Sequence, residues 1–265
     1  MKINFKSLIV IIAGSVLMQS CKKDDQLSTE PNTFGYISVN HAALLVPRPV
    51  NVLIDGNRVN NNNFLGYLGS ITGNFVGAAQ GSRTLAIRDT TAATTGNYVS
   101  RNLNVTAGMA YNAFTYGVVN SNTFNMIVLP TSLQAPATDR FNVRFLHLSP
   151  DAPPVDVALL RVNDARTAYA DSLVIRTAQY VGSSSTPNET NLAALTTLPS
   201  GLYHIRVRPA GTFTNVVSVG TSFTTGQTFA SSKIYTVFAR GLLNNTGAGT
   251  SAATALGATV VLHNP

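Results

Sequence analysis

A hydroxyl, an imidazole and a carboxylate stand two residues apart at His147, Ser149 and Asp151, and these three groups are the parts of an acyl-transfer triad. Spacing opposes that chemistry. A base must lie between nucleophile and acid, whereas residues two apart on a strand project in parallel, and Pro150 ends the strand before Asp151. The same stretch, extended to Asp156, offers a carboxylate pair and an imidazole to a cation. It matches no Asp-x-Asp-x-Asp-Gly loop, no His-x-x-x-His pair and no second cysteine. The reading is therefore of no catalytic, metal or cofactor residues. His147, with its earlier counterpart His41, becomes a core-facing strut whose neutral ring bonds backbone groups of the following turn. Ser149, Pro150 and Asp151 become a rigid corner in which the carboxylate caps backbone N–H groups and the prolines fix φ.

Those residues recur because the chain repeats itself. Ile37 to His41 matches Val143 to His147, and Pro49-Val50-Asn51-Val52 matches Pro154-Val155-Asp156-Val157. Tyr67-Leu68-Gly69-Ser70 then matches Tyr180-Val181-Gly182-Ser183, Gly81 to Arg88 matches Gly201 to Arg208, and Tyr111 to Gly117 matches Tyr235 to Gly241. The second copy is longer, with an insertion read as a polar loop from Gly182 to Asn191.

The elements that must carry this pattern are strands. The apolar segments are short, β-branched or aromatic, and bounded by Gly, Pro, Asn or Asp. Val50, Val52 and Ile54 alternate onto one face, as do Val155, Val157 and Leu159, and Asp55-Gly56 is a favoured tight hairpin pair. No helical spacing is sustained beyond residue 20. The expectation is an all-β chain of two tandem immunoglobulin-like antiparallel β-sandwiches, repeat 1 over 34–133 and repeat 2 over 141–265, with a linker at 134–140.

The first 33 residues supply an address. Lys2 and Lys6 precede an apolar run from Leu8 to Leu17 that is about ten residues long, too short to span a bilayer. Residues 1–20 read as a signal peptide that ends at the chain's only cysteine, Cys21. The spacing resembles a lipobox, so Cys21 is expected to carry the lipid (palmitate) anchor, with 21–33 as a flexible tether. Lys22-Lys23-Asp24-Asp25 resembles the export tag of Bacteroidota surface lipoproteins. The expected location is the outer membrane, facing the exterior.

Charge narrows the partners. The chain has 18 Lys and Arg against 11 Asp and Glu, a formal +7, and loss of Lys2 and Lys6 with the leader would lower this to +5. The arginines are scattered singly from Arg48 to Arg240, which argues against nucleic acid. The expected partners are the membrane, through Cys21, and a glycan or surface protein.

The run Phe145-Leu146-His147-Leu148-Ser149-Pro150-Asp151-Ala152-Pro153-Pro154-Val155-Asp156-Val157, with Leu198 to Tyr203 and Tyr235 to Val237, resembles an exported bacterial domain-of-unknown-function family of the DUF4397 type. His41-Ala42-Ala43-Leu44-Leu45 is the degenerate counterpart in repeat 1. The resemblance implies secreted or lipid-anchored β-sandwich modules in tandem and supplies no functional residues. On these grounds the expectation is a non-catalytic surface module for adhesion, binding or envelope architecture. The alternatives are an accessory subunit of an outer-membrane glycan capture or transport complex and, more remotely, a surface hydrolase.

Overall fold

The computed structural model describes residues 33–46, 49–60, 64–71, 75–90, 96–119, 123–246 and 251–264. The segments read as signal peptide, Cys21, Lys22 to Asp25 and the tether up to residue 32 lie outside the described residues. No helix among the described residues is long and apolar enough to cross a membrane.

Repeat 1 is built from β1 (Phe34–His41), β2 (Val50–Ile54), β3 (Asn57–Arg58), β4 (Val76–Ala79), β5 (Gly81–Asp89), β6 (Asn97–Val105), β7 (Ala110–Tyr116) and β8 (Asn125–Thr131). Its two sheets have the orders β4-β1-β7-β8 and β3-β2-β5-β6. Repeat 2 contains β9 (Arg140–His147), β10 (Val155–Val162), β11 (Tyr169–Ala178), β12 (Thr196–Pro199), β13 (Gly201–Pro209), β14 (Val217–Val219), β15 (Gln227–Phe229), β16 (Lys233–Arg240) and β17 (Gly257–Leu262). Its sheets are β12-β9-β16-β17 and β11-β10-β13-β14, with β15 also on β13. The chain is all-β, and the strand orders superpose position by position. The one long edge strand β6 of repeat 1 is replaced by two short pieces, β14 and β15, in repeat 2.

Period-two alternation fills a separate apolar centre in each copy. Val50, Val52 and Ile54 meet Leu85 and Ile87 in the first, and Val155, Val157 and Leu159 meet Tyr203, Ile205 and Val207 in the second. Asp55 and Gly56 have φ of 50° and 81°, the positive values that a two-residue type I′ hairpin between β2 and β3 requires.

Pairing is antiparallel except for β1 with β7 and β9 with β16, which run parallel. That exception refines the antiparallel expectation and has a physical source. In each copy the chain between the two strands passes through the opposite sheet, which gives the long crossover a parallel pair needs. Parallel pairs sit where both faces are covered, and all seven residues of β7 are buried.

What covers the second face is the other repeat. Phe114, Tyr116, Ile127 and Leu129 of β7 and β8 form one apolar cluster with Leu146, Leu148, Val181 and Phe238 of repeat 2. The four sheets therefore stack, with β4-β1-β7-β8 and β12-β9-β16-β17 as the inner pair. The contacts are reciprocal. Phe114 packs edge-on against its own counterpart Phe238, ring centroids 5.7 Å apart. Tyr116 of repeat 1 packs on Tyr180 of repeat 2 at 6.0 Å, while at Tyr67, the counterpart of Tyr180, burial raises the hydroxyl pKa and the charge of Arg240, the counterpart of Tyr116, opposes it. Contact between equivalent positions is the geometry of a two-fold interface, here between two halves of one chain.

A polar chain lies on the repeat 2 side of this joint. Thr236 Oγ1 accepts from Arg144 Nε–H (2.8 Å) and lies 2.7 Å from His263 Nε2, so its own proton points to the imidazole. At the matching places of repeat 1, Asn112 Nδ2 donates to Thr131 Oγ1 at 2.7 Å. Arg144 is 3% exposed, its guanidinium lies 6.0 Å from the Phe114 ring centre, and its Nη1 and Nη2 have no hydrogen-bond partner. Burial alone pushes its pKa down to about 10.

Candidate functional site

The signature residues lie where β9 ends. His147 is buried; its Nε2–H donates to the Pro153 carbonyl (3.1 Å) and its Nδ1 receives the Ser149 backbone N–H (3.4 Å). These partners assign the ring proton to Nε2. Ser149 is fully buried and its hydroxyl donates to Asp151 Oδ1 at 3.4 Å, away from the imidazole. Desolvation depresses the His147 pKa, opposed by the carbonyls of Pro153 and Ala152. The structure thus brings His147, Ser149, Pro150 and Asp151 together as a corner whose polar groups are spent on one another and on backbone.

The carboxylate of Asp151 acts at longer range than its own turn. Its two oxygens accept the backbone N–H groups of Leu243 and Asn244, each at 2.8 Å, tying the β9–β10 corner to the loop after β16. A Leu-Ser-Pro-Asp-Ala segment signals a local cap; nothing in it points to a partner some ninety residues on. Replacement of Asp151 by alanine hands two exposed N–H groups to water and should cost about 1 kcal/mol. Thermal unfolding followed by circular dichroism would show a midpoint lowered by several degrees; an unchanged midpoint would show the tie to be idle.

His41 is placed as deeply as His147 but is held differently. Its Nδ1 lies 2.7 Å from Thr115 Oγ1 on β7, and that oxygen already accepts the N–H groups of Ala42 and Ala43 (3.2 and 3.3 Å). The hydroxyl proton therefore goes to His41, which accepts. The expected bond to turn backbone is replaced by one to a neighbouring strand, because Ala43 stands where repeat 2 has Ser149 and the proline corner is missing. Burial pushes the His41 pKa down to about 4. Asp156 is a strut too: its carboxylate accepts from Thr177 N–H (2.8 Å) and Gly211 N–H (3.3 Å), with Arg176 at 3.6 Å. The Thr177 N–H is the chief cause of its lowered pKa, against desolvation.

Open space lies beside this corner rather than at it. The Gly182–Asn191 insertion is not wholly loop: a 3₁₀ turn at Val181–Ser183 and a one-turn helix α1 (Glu189–Ala193), capped by Asn188 Oδ1 on Asn191 N–H at 3.0 Å, give it shape. Five residues are too few for a periodic signal, so the helix was illegible. The segment leans over repeat 1. Arg101 Nη1 of β6 is 2.7 Å from Glu189 Oε1 of α1, and Arg101 also donates to the Met126 carbonyl at 2.9 Å.

Between insertion and repeat 1 runs a groove. One cavity of about 410 Å³ is lined by Arg101, Tyr116, Asn125, Ser185, Thr186 and Glu189, among others. A second of about 260 Å³ shares Tyr116, Asn125 and Ser185 and reaches Thr123, Pro150, Tyr180 and Gly182. A third of about 290 Å³ continues past Tyr180 and Ser184 under Leu192. Tyr180 is half-buried and lines two of these cavities. Its ring meets Tyr116 and His147 edgewise at 6.0 Å each, Gly182 lies against it, and burial pushes its pKa up.

Comparison with known proteins gives the following. Residues 35–158 match the profile of the family described as "Domain of unknown function (DUF4397)". The matched stretch takes in repeat 1 and continues through the His147–Val157 signature into β10. No curated protein matches the chain. Among solved structures, the TIE protein of Bacillus anthracis is similar at 8% identity and TM-score 0.21, covering 78% of this chain and 34% of that one. A leucine-rich repeat protein from Bacteroides thetaiotaomicron is similar at 11% identity and TM-score 0.19, covering 77% and 26% respectively. At those scores neither likeness carries an argument.

Proposed function

We propose a function from geometry alone, since the DUF4397 profile that residues 35–158 match carries no activity: this is a non-catalytic surface lipoprotein, anchored through Cys21 to the outer membrane, that binds a glycan or a surface protein or braces the envelope. The observation that carries the reading is the inter-repeat groove. It is the place where a segment special to repeat 2 is held over repeat 1 by an ion pair, on a scaffold made rigid by an apolar joint. Recognition on sandwiches concentrates in such segments at the ends of strands.

Support also comes from the signature. The groups that would have to move protons are tied to carbonyls and N–H groups, with Ser149 Oγ directed to Asp151. An acyl-transfer base needs to reach its nucleophile. The resemblance of Lys22-Lys23-Asp24-Asp25 to an export tag supports a location outside the cell.

The purified full-length chain, probed on a glycan array and by pull-down from envelope fractions, is expected to retain a glycan or an envelope protein. Turnover of an ester or glycoside at about 1 s⁻¹ or faster, lost in Ser149→Ala while the unfolding midpoint holds, would overturn the reading.

A further inference from the structure

We infer that the groove between the insertion and repeat 1 is a binding site for a neutral saccharide chain. The inference rests on the binding-module reading and adds to it a place and a ligand class.

Chemistry of the walls selects the class. Asn125, Ser185, Thr186 and Thr190 offer hydroxyl and amide groups, each able to donate and accept, which is what a polyol presents in return. The two charges, Arg101 and Glu189, face each other at 2.7 Å and cancel. An anionic glycan or a nucleic acid would find no free cation there, since the one arginine is already paired and also donates to Met126 O. Phosphate binding depends on unspent Lys and Arg.

A protein partner is disfavoured on separate grounds. Protein interfaces are anchored by a few desolvated aromatic or aliphatic side chains. The most exposed large apolar residues, Phe34, Tyr36, Phe64, Tyr169, Phe213 and Leu243, are all outside the groove, and Tyr180 and Leu192, which line its third section, are half-buried. Tyr116 is 2% exposed, so it forms floor rather than a protruding anchor.

Size and stiffness agree with a small chain ligand. The largest section, about 410 Å³, falls within the ~300–1,000 Å³ common for ligand sites, and sections of about 260 and 290 Å³ adjoin it. The floor is fixed by the Tyr116–Tyr180 contact. Gly182 stands so close to the Tyr180 ring, 2.5 Å from a Cβ position to the nearest ring atom, that a side chain there would displace it. A preformed site loses little ordering entropy on binding.

The test is a titration of the full-length chain with neutral oligosaccharides taken from a glycan array, read by calorimetry. Two variants change groove walls: the double Ser185→Ala/Thr186→Ala, outside any strand, and Asn125→Asp, which keeps the side-chain oxygen that accepts the Met126 N–H and replaces the amide donor with a charge. Each is expected to weaken a neutral glycan at least tenfold while the thermal midpoint stays put. Equal affinity in both variants would move the site elsewhere and leave the module reading standing. Retention of an envelope protein with no neutral glycan bound would overturn the ligand class alone. Failure of both glycans and envelope proteins to bind would bring down the module reading itself.

Discussion

Replacing Phe114 by alanine is expected to remove about 3–5 kcal/mol of stability, the cost of deleting a fully buried aromatic ring and leaving a cavity. The ring is 0% exposed. It touches Phe238 and His263 of the other repeat and lies under the Arg144 guanidinium. Its loss therefore empties the centre of the joint and strips a buried cation of its aromatic face, a contact worth up to ~2 kcal/mol when desolvated. Calorimetry should show the midpoint falling by roughly 10 °C and the single transition of the parent broadening or dividing as the repeats lose their common core. Phe213→Ala, at a side chain 90% exposed, is the matched control and should change almost nothing. A Phe114→Ala loss below about 1 kcal/mol would mean that the two sandwiches do not share a core.

Acid should act on the same core. His41, His147 and His263 are buried as neutral rings whose folded pKa values lie below the ordinary 6.5. Burial brings His41 to about 4, and burial followed by the Arg144 charge brings His263 to about 3. The sign follows from proton counting. Below pH 6.5 the unfolded chain takes up protons that the folded one refuses, so stability is full above that value and falls as pH drops towards the folded pKa values. At pH 5 His41 and His263 together should account for a loss of about 4 kcal/mol relative to pH 7, with His147 adding in the same direction. The bonds make the refusal specific: both Thr115 and Thr236 direct a hydroxyl proton at an imidazole nitrogen, and protonating that nitrogen removes the acceptor. Urea unfolding at pH 7, 6 and 5 is the measurement. His263→Gln should flatten the slope, and a parent profile without slope from pH 7 to 5 would show that the rings are hydrated.

How much of this could be read from residues alone differs by element. Val50-x-Val52-x-Ile54 and Tyr203-x-Ile205-x-Val207 reveal strand and buried face together, because side chains alternate with period two, and Asp55-Gly56 marks its turn by the same logic of allowed φ. The stacking of the two copies was hidden. Phe114 and Phe238 sit at positions whose neighbours Ala113 and Val237 already face the cores, so the alternation predicts solvent for them; only the run of apolar residues on both parities of β7 hints at a second covered face. The groove was half legible. An insertion in one copy is visible by self-comparison, but its lean onto Arg101 depends on a contact between distant segments that no local pattern encodes.

One property of the joint bears on what duplication permits. Two separate chains meeting through this surface would place the same residue on both sides, and a guanidinium at position 144 would be buried twice. Within one chain the matching position is Ser38, so a single unneutralised cation is carried where a symmetric pair would be prohibitive. Linking the copies thus releases each side from having to complement itself, and from then on substitutions in either half are judged by the other.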